Sequence, residues 1–416
     1  MANTPIRKNE RGVALILALV SVVLITYLAK EVSEDVGIEF LVTASEVNRL
    51  KAYYAAQAGV ELSLLRLYIY KNAVKQYGEQ LGSNRKMLDM IWQMPFTWPF
   101  RAPVDLGAIG NEALKEIENE SFMEAQFVTT LNSEGSKLDL NDLISPSKSV
   151  ATNTRIQLIQ ILQQRLDQDD DWARDYENDS TRPTAEELVN NIADWIDTDE
   201  ESRNGGDESS NYRDLGPGFP PNQPFKTLDE LRMVDGMSDA LFNLYAPQVT
   251  VYGLKGLQVN FANKEALMSL DPQMTKEIAD EILKRRNDED LGGPFKDFED
   301  FKGFLKGQGL NTAELEKHPE YYVFDAEYNF RIQSIGSFGK SRREIIAVAY
   351  DFDKVVGRLT DSVKKEKAAD SGAGGSGGTD QAGQPAQPAQ PSDPNAKKEA
   401  PKEASGPPQI VYWSEQ

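Results

Sequence analysis

Between Asp167 and Asp214 the chain carries 17 carboxylates against four arginines and no lysine. Most runs of this kind are solvated faces. Here the spacing allows something more particular. Leu188, Ile192, Trp195 and Ile196 make the apolar stripe of a short helix whose first turn holds Glu186 and Glu187. Asp197, Asp199 and Glu200 follow its end, and Asn204-Gly205-Gly206 turns the chain back towards Asp207 and Glu208. Carboxylates on both arms of such a loop can wrap oxygen ligands around one hard cation. Calcium (Ca2+) accepts six to eight flexible oxygens, whereas zinc favours His or Cys. The spacing is not that of an EF-hand, because nothing corresponds to its twelfth-position glutamate. On spacing alone, a calcium loop and a solvated acidic face are equal readings.

Composition narrows the remaining chemistry. The chain has no cysteine and a single histidine, His318, so thiol nucleophiles, disulfides and histidine-rich zinc sites lack material. A net charge of −21 opposes polyanionic partners. With 416 residues, 40% of them apolar, there is chain enough for two or three modest domains. These features point away from an enzyme and towards a structural or interaction protein.

The loop has to be positioned by an anchored scaffold. Seventeen uncharged residues, 13–29, follow a short leader carrying Arg7, Lys8 and Arg11. As a helix this stretch is about 26 Å long, near the lower limit for crossing a bilayer. The basic flank stays cytoplasmic, which places the bulk of the chain outside. Tyr27-Leu28-Ala29-Lys30-Glu31 is a poor signal-peptide cleavage site, and apolar residues continue at helical spacing from Ile38 to Leu67. One helix is therefore expected over about 13–70, loosened at Gly37 and Gly59. A plain signal anchor followed by an unrelated helix is the alternative.

Further along, residues 122–131 read as a strand and 154–166 and 185–196 as helices. Residues 225–245 and 264–304 each suggest a pair of short helices. A Pro-Phe-Lys echo links them, Pro224-Phe225-Lys226 against Pro294-Phe295-Lys296. Helix-hairpin-helix pairs often grip nucleic-acid backbones. Here Asp288, Glu289 and Asp290 offset Lys284-Arg285-Arg286, so no nucleic-acid partner is expected. Residues 257–261 read as a short strand, and 321–324, 328–336 and 343–352 as a meander. The Pro/Gln/Gly-rich residues 368–408 read as a disordered linker. The apolar ending Ile410-Val411-Tyr412-Trp413 predicts a strand that returns beside 343–352.

Taken in order, several of these segments resemble one family. Arg11-Gly12-Val13-Ala14-Leu15 with its long helix resembles the leader of type IV pilin-like proteins. Asp194-Trp195-Ile196-Asp197-Thr198-Asp199, Phe225-Lys226-Thr227-Leu228-Asp229, Val249-Thr250-Val251-Tyr252 and Val259-Asn260 resemble the K-type minor pseudopilins of the bacterial type II secretion system. The resemblance implies an α+β pilin-like fold, a long N-terminal helix on an antiparallel sheet, with a large inserted helical domain of SAM-like or helix-hairpin-helix type. The expected divisions are a cytoplasmic leader (1–12), a transmembrane segment (13–29) and the rest of the helix with the first part of the head (30–140). After these come the inserted domain with the calcium loop (141–250), a second helix-hairpin-helix segment with pilin-like strands (251–352), a disordered linker (353–408) and a terminal strand (409–416).

It further implies cleavage by prepilin peptidase between Gly12 and Val13, followed by N-methylation of Val13. Pilin-like subunits usually carry glutamate at the fifth mature position, which here is Leu17. The K type also lacks that glutamate and caps the pseudopilus tip. The resemblance also implies structural calcium, with ligands among Asp197, Asp199, Glu200, Asp207, Glu208 and Asn222. Implied partners are the other minor pseudopilins, the major pseudopilin, the peptidase, the inner membrane, and secreted cargo or the outer-membrane pore, with the bulk of the chain in the periplasm. Asp271-Pro272 departs from the family's Pro-Gly hairpin in the second helix pair. A tip or adhesin-like subunit of a related type IV filament is the alternative function.

Overall fold

The computed structural model describes residues 10–81, 86–100, 112, 116–178, 182–372 and 408–416. Leader residues 1–9 and residues 373–407, most of the expected linker, lie outside these.

Helix α1 (Glu10–Leu81) is unbroken over 72 residues, longer than the 13–70 expected. Its N-terminal part is wholly exposed, and α1 is the one helix among the described residues long and apolar enough to cross a membrane. The expected loosening at Gly37 and Gly59 does not occur. Gly59 is instead a point of contact, where a Cβ would overlap Ser334 Oγ and Thr129 Cγ2 of the sheet. On the facing strand, a Cβ at Gly336 would overlap the Ala52 carbonyl oxygen and the Ala56 nitrogen. Small residues at Ala52, Ala55, Ala56 and Gly59 thus bring helix and sheet backbones together, and Ser334 Oγ donates to the Ala56 carbonyl at 2.7 Å.

Beyond α1 come α2 (Lys86–Gln93), β1 (Phe96–Trp98) and β2 (Gln126–Ser133). Arg66 of α1 caps α2 by donating to the Ile91 and Met94 carbonyls. The chain then leaves the head and makes β3 (Leu138–Asp139), α3 (Lys148–Gln168), α4 (Asp170–Glu177), α5 (Ala185–Ile196), α6 (Asp239–Tyr245) and β4 (Val249–Thr250). It continues through β5 (Leu257–Gln258), α7 (Lys264–Met268), α8 (Lys276–Asn287), α9 (Phe298–Gly307) and β6 (Tyr322–Val323). Back in the head are β7 (Phe330–Phe338), β8 (Ser341–Tyr350), α10 (Phe352–Gly372) and β9 (Gln409–Glu415).

The head sheet is antiparallel in the order β1-β2-β7-β8-β9. Leu131, Phe330, Ile332, Ile345 and Ala347 alternate onto the face that covers Val60, Leu67 and Tyr70 of α1. The terminal strand is where the sequence places it, with Trp413 opposite Ala347 of β8. Three expectations need correction. Residues 321–324 are no part of the meander, because β6 pairs in parallel with β5. The second helix pair is three helices, since Asp271-Pro272 separates α7 from α8. The disordered linker does not begin at 353. Val355 and Ser362 of α10 are buried, and Glu366 accepts from Ser147 Oγ, Lys148 N and Ser149 N, which caps the start of α3. These tertiary contacts, invisible to composition, hold the first twenty residues of the stretch in a helix.

The insertion is built twice. In the first unit β3 pairs in parallel with β4, and in the second β5 pairs in parallel with β6. Asn141 receives the Phe225 N–H at 2.8 Å and donates to the Phe225 carbonyl at 3.1 Å. Asn260 does the same with Phe295 at 2.9 and 2.8 Å. Each amide also reaches a second carbonyl at 3.4 Å, Val251 in one unit and Phe324 in the other. Helices α5 and α8 both have 12 residues, with Thr184 and Thr275 as N-caps and Asp197 and Asp288 as C-caps. The Pro-Phe-Lys echo is the visible trace of this repeat. One apolar core, including Trp195 and Phe225 of the first unit and Ile282 and Phe295 of the second, runs through both.

Candidate metal centre

The acidic loop hangs between the C-terminal end of α5 and the Phe225 strut. Thr184 and Glu187 close a reciprocal cap at the start of α5, and Leu188, Ile192, Trp195 and Ile196 bury its apolar stripe. Trp195 lies parallel to Phe225, with ring centroids 6.1 Å apart. That stripe leaves Asp194 and Asp197 side by side at the helix end. Gly205 and Gly206, both at φ 94°, supply the left-handed turn that sends the chain back. Glu201 and Asp207 then bridge in antiparallel fashion, and Glu208 N–H donates to the Glu200 carbonyl at 3.3 Å. Asn204 pins the turn to α5 through the Glu187 carbonyl and the Asn191 side chain.

This folding places carboxylate oxygens of Asp194, Asp197 and Glu208 within 4.8 Å of one another. Asp194 accepts from Ser202 Oγ and Arg203 N, both at 3.0 Å, and from Arg203 Nη1 at 2.6 Å. The same Arg203 Nη1 donates to Asp197 Oδ2. Glu208 is only 2% exposed. Among the described residues neither of its oxygens has a hydrogen-bond partner, and the same holds for Asp197 Oδ1 and Asn222 Oδ1. Asn222 is held to the loop by its other amide atom, which donates to the Asp199 carbonyl at 2.5 Å.

Electrostatics mark the same spot. Burial, and then the charges of Asp197, Asp194 and Asp199, push the Glu208 carboxyl up to about 7 against the opposing pull of Arg203. Burial also raises Asp197. Buried acceptors without donors carry a desolvation penalty, which a cation removes. A set of carboxylate and amide oxygens suits a hard ion such as calcium; the one histidine, His318, belongs to the second unit. The residues present therefore fit the ion that the spacing suggests.

Of the six residues singled out from the sequence, the structure brings together Asp197 and Glu208 and fixes Asn222 beside the loop. Asp199, Glu200 and Asp207 have exposed side chains. Asp207 is committed to a turn, where the Ser209 hydroxyl and N–H hold its carboxyl below the usual range. Asp194 and Arg203 were not singled out. Asp194 precedes Asp197 by three residues, a helical same-face spacing that could have flagged it. Gly12, Val13 and Leu17 lie in the exposed start of α1, with Leu17 63% exposed.

A long helix over an antiparallel sheet, interrupted by a helical insertion with an acidic loop, defines a pilin-like class of chain. Residues 136–254 match the family model described as Type II secretion system (T2SS), protein K. Type II secretion system protein K of Pectobacterium carotovorum subsp. carotovorum is 24% identical over 255 residues, 61% of this chain and 66% of that protein. The protein K of Klebsiella pneumoniae is 34% identical over 91 residues, 21% of this chain and 28% of that one. The chain thus spans just under two thirds of the first relative's length and over a quarter of the second's. A crystal structure of the GspK-GspI-GspJ complex from the enterotoxigenic Escherichia coli Type 2 Secretion System is similar over 75% of this chain and 95% of that chain, with 18% identity and a TM-score of 0.49. The K-type resemblance read from the sequence is borne out, and the family match covers the stretch that holds the acidic loop.

Proposed function

We propose that this chain is a minor pseudopilin of a type II secretion system, anchored in the inner membrane by α1 with its head and insertion in the periplasm. The observation that carries this reading is the protein K match, which falls on an insertion borne by a pilin-like head and stem. Prepilin peptidase removes the leader after Gly12, and Val13 is N-methylated. Leu17 leaves the stem without the glutamate that ordinary subunits use to meet a neighbour's terminal amine, which suits a subunit at the filament tip. The role is structural: the chain nucleates the pseudopilus with other minor pseudopilins, joins the major pseudopilin, and meets cargo or the outer-membrane pore without catalysing a reaction. Calcium, when bound, cross-links the loop through Asp194, Asp197, Glu208 and Asn222.

Co-purification of the full chain from detergent-solubilised membranes with co-expressed candidate minor pseudopilins tests the proposal. A stable stoichiometric complex is expected. Failure to form one with any pseudopilin of the same secretion system would overturn it.

A further inference from the structure

The position of Arg203 has a consequence for how the acidic loop takes up its ion. Its Nη1 lies 2.6 Å from Asp194 Oδ1 and also donates to Asp197 Oδ2. Calcium binds oxygen at about 2.3–2.6 Å, so the guanidinium nitrogen stands where a calcium ion on these two carboxylates would stand. Two cations cannot share that point. The Arg203 main chain need not move for the side chain to leave, because its N–H donates separately to Asp194 Oδ2 and the Ser202–Gly206 turn is closed by backbone bonds. The side chain has a way out, since Arg203 is 37% exposed.

The second unit gives the comparison. At the tenth position of α8, where α5 has Asp194, stands Arg285. Its guanidinium pairs with Asp300 at 2.6 Å and lies 4.3 Å from the Phe295 ring centroid and 5.1 Å from that of Phe304. At 13% exposure it is held under the rings. One unit therefore has an arginine locked in place, and the other has an arginine that can be displaced, beside four buried oxygens without donors.

We propose that Arg203 is a built-in competitor for the metal site, occupying the Asp194–Asp197 pair in the ion-free chain and swinging into solvent when a divalent cation binds. The proposal rests on the calcium reading of this loop. The arginine keeps the loop folded without the ion, and it lowers the affinity so that filling follows the surrounding calcium concentration.

Calorimetric titration of the full chain in detergent with calcium chloride tests this, alongside thermal unfolding in chelator. Arg203→Met is expected to bind calcium on the order of tenfold more tightly than the parent, because no ion pair has to break first. In chelator it should melt at a lower temperature than the parent. Arg203→Lys, which keeps the charge on a shorter side chain, should fall between the two. Unchanged or weaker binding in Arg203→Met, with Glu208→Gln losing the ion, would overturn the role of Arg203 and leave the site intact. If Arg203→Met does not fold, Arg203→Lys decides on the same criterion. A parent chain that binds no calcium overturns the site reading and this proposal with it.

Discussion

The two units of the insertion share a strut, a helix and a cap pattern, yet they close the end of that helix in different ways. In the first, 27 residues separate Asp197 from Phe225, and the carboxylates of Asp194, Asp197 and Glu208 converge there. In the second, only six residues separate Asp288 from Phe295, and Arg285 fills the helix end from within. A short connection can be held by one covalently attached guanidinium over aromatic rings. A long loop has more conformational entropy to lose and needs more ligands gathered at one point. Similar scaffolding thus holds a fixed side-chain cation in one copy and, in our proposal, an exchangeable one in the other.

Because the insertion repeats, its two struts should be energetically alike. Asn141→Ala and Asn260→Ala each remove a reciprocal pair of hydrogen bonds to a buried phenylalanine backbone, and each should cost about 3 kcal/mol. Urea unfolding of both variants checks this, and a near-neutral result for either would break the equivalence. The next effect separates the units. Arg285→Met should destabilise by about 2 kcal/mol to the same extent with calcium or with chelator. Asp194→Asn should abolish the gain in melting temperature that calcium confers on the parent. A calcium-dependent penalty at Arg285 would undo the contrast.

Protonation sharpens the comparison further. Glu208 is raised from 4.5 to about 7, so between these values it is protonated in the folded ion-free chain and ionised in the unfolded one. Folded chain then holds more protons, and stability falls as pH rises through this window. Burial also raises Asp142 and Glu327 to about 7, so they contribute in the same direction. Glu208→Gln should flatten only its own share, and calcium should lose affinity as pH drops below about 7. Chemical denaturation from pH 5 to 8 in chelator reads both slopes; a Glu208→Gln profile identical to the parent's would exclude that role. The smallest effect belongs to the outer arm of the loop. Asp207→Ala loses a cap worth about 1 kcal/mol or less, and its calcium affinity by calorimetry should stay within about twofold of the parent.

The anchor and the terminal strand were legible because both are written in local pattern, an uncharged run in one case and an isolated β-prone octet in the other. The acidic loop was legible as chemistry but only partly as geometry. Asp197 and Glu208 converge, while Asp207, equally acidic, spends its carboxylate on Ser209. Arg203 was hidden because one of four arginines in an acidic run looks like charge balance, and only the fold shows which carboxylates it spans. Helix α10 escaped notice because Glu366 and Val355 earn their helical state from α3 and the head, far away in sequence. Gly59 was misread as a hinge because helix propensity counts the missing side chain and cannot see the strand against it.

That strand has a mechanical meaning. Sliding α1 by one turn, about 5.4 Å, would bring Ala55 or Ser63 to the place of Gly59, where any Cβ overlaps Thr129 and Ser334. Gly336 complements it from the sheet side by leaving room for the Ala52 carbonyl. The pair works as a key in a keyway. The head sheet therefore meets α1 in one register only, and stem and head share one fixed seam.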